Sequence, residues 1–143
     1  MTTIATDGKS MAGDGLRECE SLVVATDTIK VLRLPDGRLF GAAGERGKIM
    51  QVRRWFIDGG DQPELKEGEF LGLVVELDGT VNSYDSHLEP MRRMLPTAVG
   101  TGEALALGAM LAGAEPQRAV EIACERDIYS GGTITVLKLG DGA

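Results

Sequence analysis

Apolar and polar residues alternate in short runs through the early part of the chain, and then the period changes. The runs Thr2–Thr6 and Lys9–Ala12 flank Asp7-Gly8, and a third follows at Leu22–Ala25. Thr28–Leu34 and Arg38–Ala43 flank Pro35-Asp36-Gly37, while Phe70–Leu77 and Thr80–Tyr84 flank Asp78-Gly79. An Asp-Gly pair between alternating segments signals a hairpin, because glycine takes positive φ freely and aspartate bonds the chain ahead of it. After Gly44 the spacing lengthens. Ile49, Val52 and Phe56 share one helical face, which predicts a helix over about Glu45–Ile57 that stops at Gly59-Gly60. A polar loop, Gly60 to Gly68, follows it. A short strand at Pro96–Val99 leads to Gly100-Thr101-Gly102 and a helix from about Glu103 to Ala112. A second helix starts at Pro116, since proline suits the first helical turn, and carries Val120, Ala123, Cys124 and Asp127 on one face. The chain ends in Ser130-Gly131-Gly132 and a β run, Thr133–Leu139.

The order strands, helix, strands, two helices, strand predicts an α+β fold, with helices on the outer faces of largely antiparallel sheets. A length of 143 residues suits one domain, 1–143, with a core of its own. Charge narrows the function. Fifteen basic against 22 acidic residues give net -7, which argues against nucleic acid or an anionic membrane as the main partner. No apolar run approaches the roughly 18 residues of a spanning helix, and Met1-Thr2-Thr3-Ile4 lacks the basic start of a signal peptide. Cys19 and Cys124 make no disulfide framework, so a cytoplasmic, reducing location is expected.

Several common catalytic schemes drop out. The single histidine, His87, removes most zinc-site constellations and leaves one possible His-based triad; it lies in the polar stretch Tyr84-Asp85-Ser86-His87 and reads as a surface loop residue. Cys124 reads as a small buried hydrophobe and Cys19 as a residue of a charged stretch. Thr2 is different. With Met1 removed, as is expected before a small residue, Thr2 would carry a nucleophilic hydroxyl and a free amine together. Such an amine has a pKa of about 7.7–8.0 and needs little tuning to act as a base. Taken alone, Thr2 is better explained as an ordinary edge-strand threonine, because many proteins begin Met-Thr.

Other motifs accompany it: Gly13-Asp14-Gly15, Lys30 in Thr28-Ile29-Lys30-Val31-Leu32, Gly41-Ala42-Ala43-Gly44, Gly100-Thr101-Gly102, and Arg126-Asp127-Ile128-Tyr129-Ser130-Gly131-Gly132. In this order the set resembles the proteasome β-subunits and the proteasome-like peptidase HslV, which are N-terminal-nucleophile (Ntn) hydrolases. The resemblance spans Thr2 to Leu139. It implies a four-layer αββα sandwich of two mostly antiparallel sheets, with one of the usual helices missing after Glu45–Ile57. It also implies a threonine-type endopeptidase with Thr2 as nucleophile. Asp14 would hold Lys30, whose charge tunes the hydroxyl and amine; Gly44 N–H would serve the oxyanion; Asp127, Ser130 and Thr101 would orient the amine. Threonine stands at 101 where the family has serine. By the same resemblance Thr28, Leu32, Ala42 and Arg46 would wall the specificity pocket, Arg46 favouring acidic side chains.

The resemblance implies no metal or organic cofactor. Its implied partners are copies of the same chain in a ring-forming homo-oligomer, a peptide or unfolded protein as substrate, and an ATP-dependent unfoldase. Two other readings stay open: a non-catalytic proteasome-like ring or scaffold protein, and a non-peptidase Ntn amidase.

Overall fold

The structure, a computed structural model, describes residues 1–141. Its elements are β1 (Thr3–Thr6), β2 (Ser10–Gly13), β3 (Arg17–Cys19), β4 (Leu22–Ala25), β5 (Val31–Arg33), β6 (Leu39–Gly44), α1 (Arg46–Asp58), β7 (Phe70–Val75), β8 (Val81–Tyr84), β9 (Pro90–Arg92), β10 (Thr97–Gly100), α2 (Glu103–Leu111), α3 (Pro116–Arg126) and β11 (Thr135–Lys138). They form a four-stranded sheet in the order β10-β1-β2-β11, a five-stranded sheet β5-β6-β7-β8-β9, and a separate pair β3-β4. All pairings are antiparallel.

Local chemistry makes the three anticipated hairpins. Gly8, Gly37 and Gly79 take φ of +86°, +97° and +86°. In each case the preceding aspartate accepts the N–H two residues on, from Lys9, Arg38 and Thr80. The carboxylate therefore closes the turn that glycine permits.

The two larger sheets pack face to face, with α1 outside the five-stranded sheet and α2 and α3 outside the four-stranded one. Between the sheets lie Ile4, Met11, Val31, Leu39, Leu73 and Val99. Beneath α2 and α3 the buried surface is largely alanine: Ala5, Ala12, Ala98, Ala106, Ala119 and Ala123. Small side chains there let the helices approach the sheet closely, so both helix ends lie near the start of β1. Beneath α1 the filling is bulkier, with Phe40, Val52, Phe70 and Tyr84. This is the expected αββα arrangement of layers.

Several elements differ from expectation. β5 begins only at Val31, because Thr28–Lys30 turn out of the sheet to reach the start of β1. β3 and β9 lack apolar alternation, in Arg17-Glu18-Cys19 and Pro90-Met91-Arg92, and form only by pairing with β4 and β8. Asp127 is not a helical-face residue: it sits at the C-cap of α3 in extended conformation. Residues 59–69 form no helix, leaving three helices among the described residues. None of them is long and apolar enough to cross a membrane.

Candidate active site

Side chains along β1 point alternately to opposite faces. Ile4 and Thr2 look into the gap between the sheets; Thr3 and Ala5 look toward α2 and α3. This alternation divides the site into a charged half around Thr2 and a hydroxyl half around Thr3.

The charged half centres on Asp14, which follows β2 and is fully buried. Its Oδ1 accepts Thr3 N–H at 3.0 Å, and its Oδ2 accepts Leu16 and Gly131 N–H at 3.2 and 3.1 Å. Lys30 Nζ lies 3.0 and 3.1 Å from the two oxygens. The Lys30 side chain is only 10% exposed, so the pair is shielded from water. The same Nζ donates to Thr2 Oγ1 at 3.3 Å, and Thr2 itself is buried. A cation at that distance favours the deprotonated hydroxyl and stabilises charge as the oxygen reacts.

The hydroxyl half gathers at the end of α3. Asp127 Oδ2 accepts from Ser130 Oγ and from Thr101 Oγ1, both at 2.6 Å, while Oδ1 accepts Tyr129 N–H at 3.1 Å. Burial raises the Asp127 pKa, but the Ser130 and Thr101 hydroxyls and the Tyr129 N–H outweigh it and draw the carboxyl below its ordinary value. Thr101 Oγ1 also accepts Thr2 N–H at 3.3 Å. Ser130 reaches Thr3, its Oγ lying 2.7 Å from Thr3 Oγ1. Thr3 is fully buried and was not singled out from sequence. The available signal was a lone hydroxyl on a strand face otherwise filled by alanine, which must find a partner when buried.

Met1 covers this site. Its ammonium donates to Thr101 Oγ1 at 2.6 Å, and its carbonyl accepts from Lys30 Nζ at 3.1 Å and from the Thr2 hydroxyl. Burial lowers the pKa of that amine, against the opposing pull of the Asp127 carboxylate.

Gly44 closes β6. Its φ is +126°, and a Cβ there would overlap the Glu69 carbonyl. Glu45 N–H donates to Glu69 O at 2.8 Å, so Gly44 and Phe70 form the non-hydrogen-bonded type of antiparallel pair. Gly44 N–H therefore points away from β7. The register Val31↔Gly41 puts residues 28–30, with Lys30, on that side. Just beyond, Glu45 and the largely buried Lys48 pair at 2.7 Å against the backbone of Gly68.

Of the four anticipated pocket residues, Leu32 and Ala42 share the packing beneath α1, Thr28 is half-buried, and Arg46 is exposed as the first residue of α1. Two surface hollows lie elsewhere: one lined by α1 residues from Met50 to Asp58, another by Leu71, Ser83, Asp85, Glu89, Met91 and Arg93. His87 is exposed beside Asp85. Burial pushes the Cys124 thiol up to about 11, which keeps it protonated and unreactive near neutral pH.

Two antiparallel sheets packed face to face, with helices on their outer faces, match the Ntn-hydrolase sandwich fold. Among solved structures, BPH from Thiobacillus denitrificans superposes with a TM-score of 0.72 at 18% identity, covering 98% of each chain. Its complex with epoxomicin gives 0.71 at 17% identity, covering 97% of this chain and 98% of the other. Eukaryotic HslV from Trypanosoma brucei gives 0.70 at 16% identity, covering 96% and 99%. The chain thus has the fold of HslV over nearly its whole length. No protein-family model and no curated protein sequence matches it.

Proposed function

We propose that this chain is a threonine-type peptidase whose nucleophile is Thr2, made N-terminal by loss of Met1. The observation that carries this reading is Lys30 Nζ, held bidentately by the buried Asp14 and directed at Thr2 Oγ1 3.3 Å away. Thr2 Oγ1 attacks the peptide carbonyl carbon, and the α-amine of the same residue takes the hydroxyl proton through a water. Gly44 N–H stabilises the tetrahedral oxyanion. The protonated amine gives its proton to the leaving amine, the C–N bond breaks, and an ester on Thr2 remains. Water, activated by the same amine, hydrolyses that ester and restores the hydroxyl. Thr101, Asp127 and Ser130 orient the amine, and Thr28, Leu32, Ala42 and Arg46 contact the substrate side chain.

The fold shared with a protein solved in complex with epoxomicin supports the choice of an epoxyketone as probe. Such a warhead needs a hydroxyl and a free α-amine on one residue to close its ring adduct. Intact mass spectrometry is expected to show Met1 absent and one adduct per chain, with none on Thr2→Ala. A chain that starts at Thr2, keeps its fold and takes no adduct refutes the assignment.

One observation favours a second reading, a non-catalytic ring or scaffold component. Met1 bonds Thr101, Lys30 and Thr2 at once, so a chain that retained it would have neither a free Thr2 amine nor an open hydroxyl. Persistent Met1 in protein from its native cells decides for that reading.

A further inference from the structure

The first peptide bond of the chain is hydrogen-bonded at each of its polar atoms. The Met1 carbonyl accepts from Lys30 Nζ at 3.1 Å and from the Thr2 hydroxyl, which fills both of its lone pairs. Thr2 N–H donates to Thr101 Oγ1 at 3.3 Å, and the Met1 ammonium donates to the same oxygen at 2.6 Å. Thr101 gives its own proton to the Asp127 carboxylate at 2.6 Å, so its oxygen faces the terminus as an acceptor. Just beyond, Thr3 N–H is held by the buried Asp14, and Thr3 pairs with Gly100 in the sheet. A chain terminus ordinarily frays unless something ties it down. This one is tied at its amine, its carbonyl and its first amide.

We infer that folding seals the Met1–Thr2 bond against an aminopeptidase, so that Met1 is removed only from a chain that has not yet folded. A methionine aminopeptidase, a metal-dependent exopeptidase, must take hold of the free ammonium and polarise the carbonyl of the bond it cuts. Water then adds its hydroxyl to the Met1 carbonyl carbon, the C–N bond breaks, and the Thr2 nitrogen leaves with a proton as a free amine. In the folded chain both handles are already engaged, Thr2 is buried, and β1 begins at the next residue. Met1 as a whole is 62% exposed, so hydrogen bonding rather than burial withholds its amine and carbonyl. Drawing Met1 into an enzyme cleft breaks its bonds to Thr101 and Lys30 together with that of Thr2 N–H. The order of events therefore decides the state of the site: excision before folding leaves Thr2 open, and folding first leaves Met1 in place. This holds whether or not Thr2 acts as a nucleophile, which epoxyketone labelling tests separately.

The test uses the full chain with Met1 retained, made by cell-free synthesis under an aminopeptidase inhibitor, folded and freed of the inhibitor. It is incubated with a methionine aminopeptidase, and intact mass spectrometry follows the loss of Met1. A synthetic peptide of residues 1–8 gives the rate for an open terminus. The folded chain is expected to lose Met1 about 100-fold more slowly than the peptide. Thr101 is exposed, so Thr101→Ala removes the shared acceptor without disturbing the core. It should speed removal about tenfold, whereas Thr101→Ser keeps the acceptor and the protection. Val52→Ala, a truncation beneath α1, lowers global stability and should leave Met1 protected. Four results each overturn the inference: a folded chain trimmed at the rate of the peptide, loss of Met1 without added enzyme, a folded Thr101→Ala trimmed no faster than the unmutated chain, or Val52→Ala trimmed as fast as Thr101→Ala.

Discussion

Asp14, itself fully buried, takes three backbone N–H bonds besides the Lys30 ammonium. Asp14→Ala strands these donors, each at a cost of about 1–3 kcal/mol, whereas Lys30→Met leaves them satisfied. Urea unfolding should therefore rank Asp14→Ala below Lys30→Met by about 2 kcal/mol or more, although under the proposed function both should lose epoxyketone labelling. Equal losses would mean that the ion pair, not the N–H cradle, holds this corner together. Asp127 has a pH signature. Its carboxyl is held below the ordinary value of 3.8, so the folded state favours the ionised form. The stability this contributes is complete above the ordinary value and is lost as pH falls through the depressed one. Asp127→Asn should lower the melting temperature at pH 7, and the gap to the unmutated chain should close as the pH drops below about 4. A gap that persists at pH 3 would point to packing instead. Of these residues, Thr2, Asp14, Lys30, Thr101, Asp127 and Ser130 were legible as a motif set. Thr3 was not, because what distinguishes it is the neighbour it meets across the fold.

The β6–α1 junction shows how an element end becomes a chemical group. Gly44 has φ +126° and lies against Glu69, while Gly47, three positions past the end of β6 in the first turn of α1, has open space around it. Gly44→Ala is expected to cost about 2 kcal/mol or more through strain and overlap, and to abolish epoxyketone labelling. Gly47→Ala should be neutral or stabilise by up to about 1 kcal/mol, because a helix favours alanine. Chemical denaturation of the two variants checks the contrast, and labelling at an unchanged rate in a folded Gly44→Ala would remove Gly44 from the site. The helix, the hairpins and the Gly-Ala-Ala-Gly turn were readable from period and turn chemistry. β3 and β9 were not, because their residues carry no alternation and their geometry comes from a partner strand. The end of α3 was read one residue too long, since helical spacing continues through Asp127 while its backbone has already turned extended.

The β3–β4 pair stands apart from both larger sheets and exposes Leu22, Val23 and Val24 at 69%, 62% and 54%. Adjacent exposed apolar side chains of this kind mark an association surface, and a homo-oligomer is the assembly we propose for it. Light scattering should give a multiple of the 15.2 kDa chain, and Val23→Asp should lower it toward one chain. An unmutated chain that runs as a monomer would overturn the assembly. By itself the sequence determined what short-range physics controls: three Asp-Gly hairpins, three helices, the order of the elements other than β3 and β9, and the residue types the chemistry needs. Each depends on neighbours a few positions away, so it is written locally. Only the tertiary structure decided that Thr2 and Thr3 serve opposite faces of one strand, that Lys30 leaves its strand to reach them, that Gly44 N–H turns from β7, and that Asp127 gathers the hydroxyls. Those facts depend on sheet register and on how closely alanine-lined helices approach the sheet, and both arise from contacts between residues far apart in the chain.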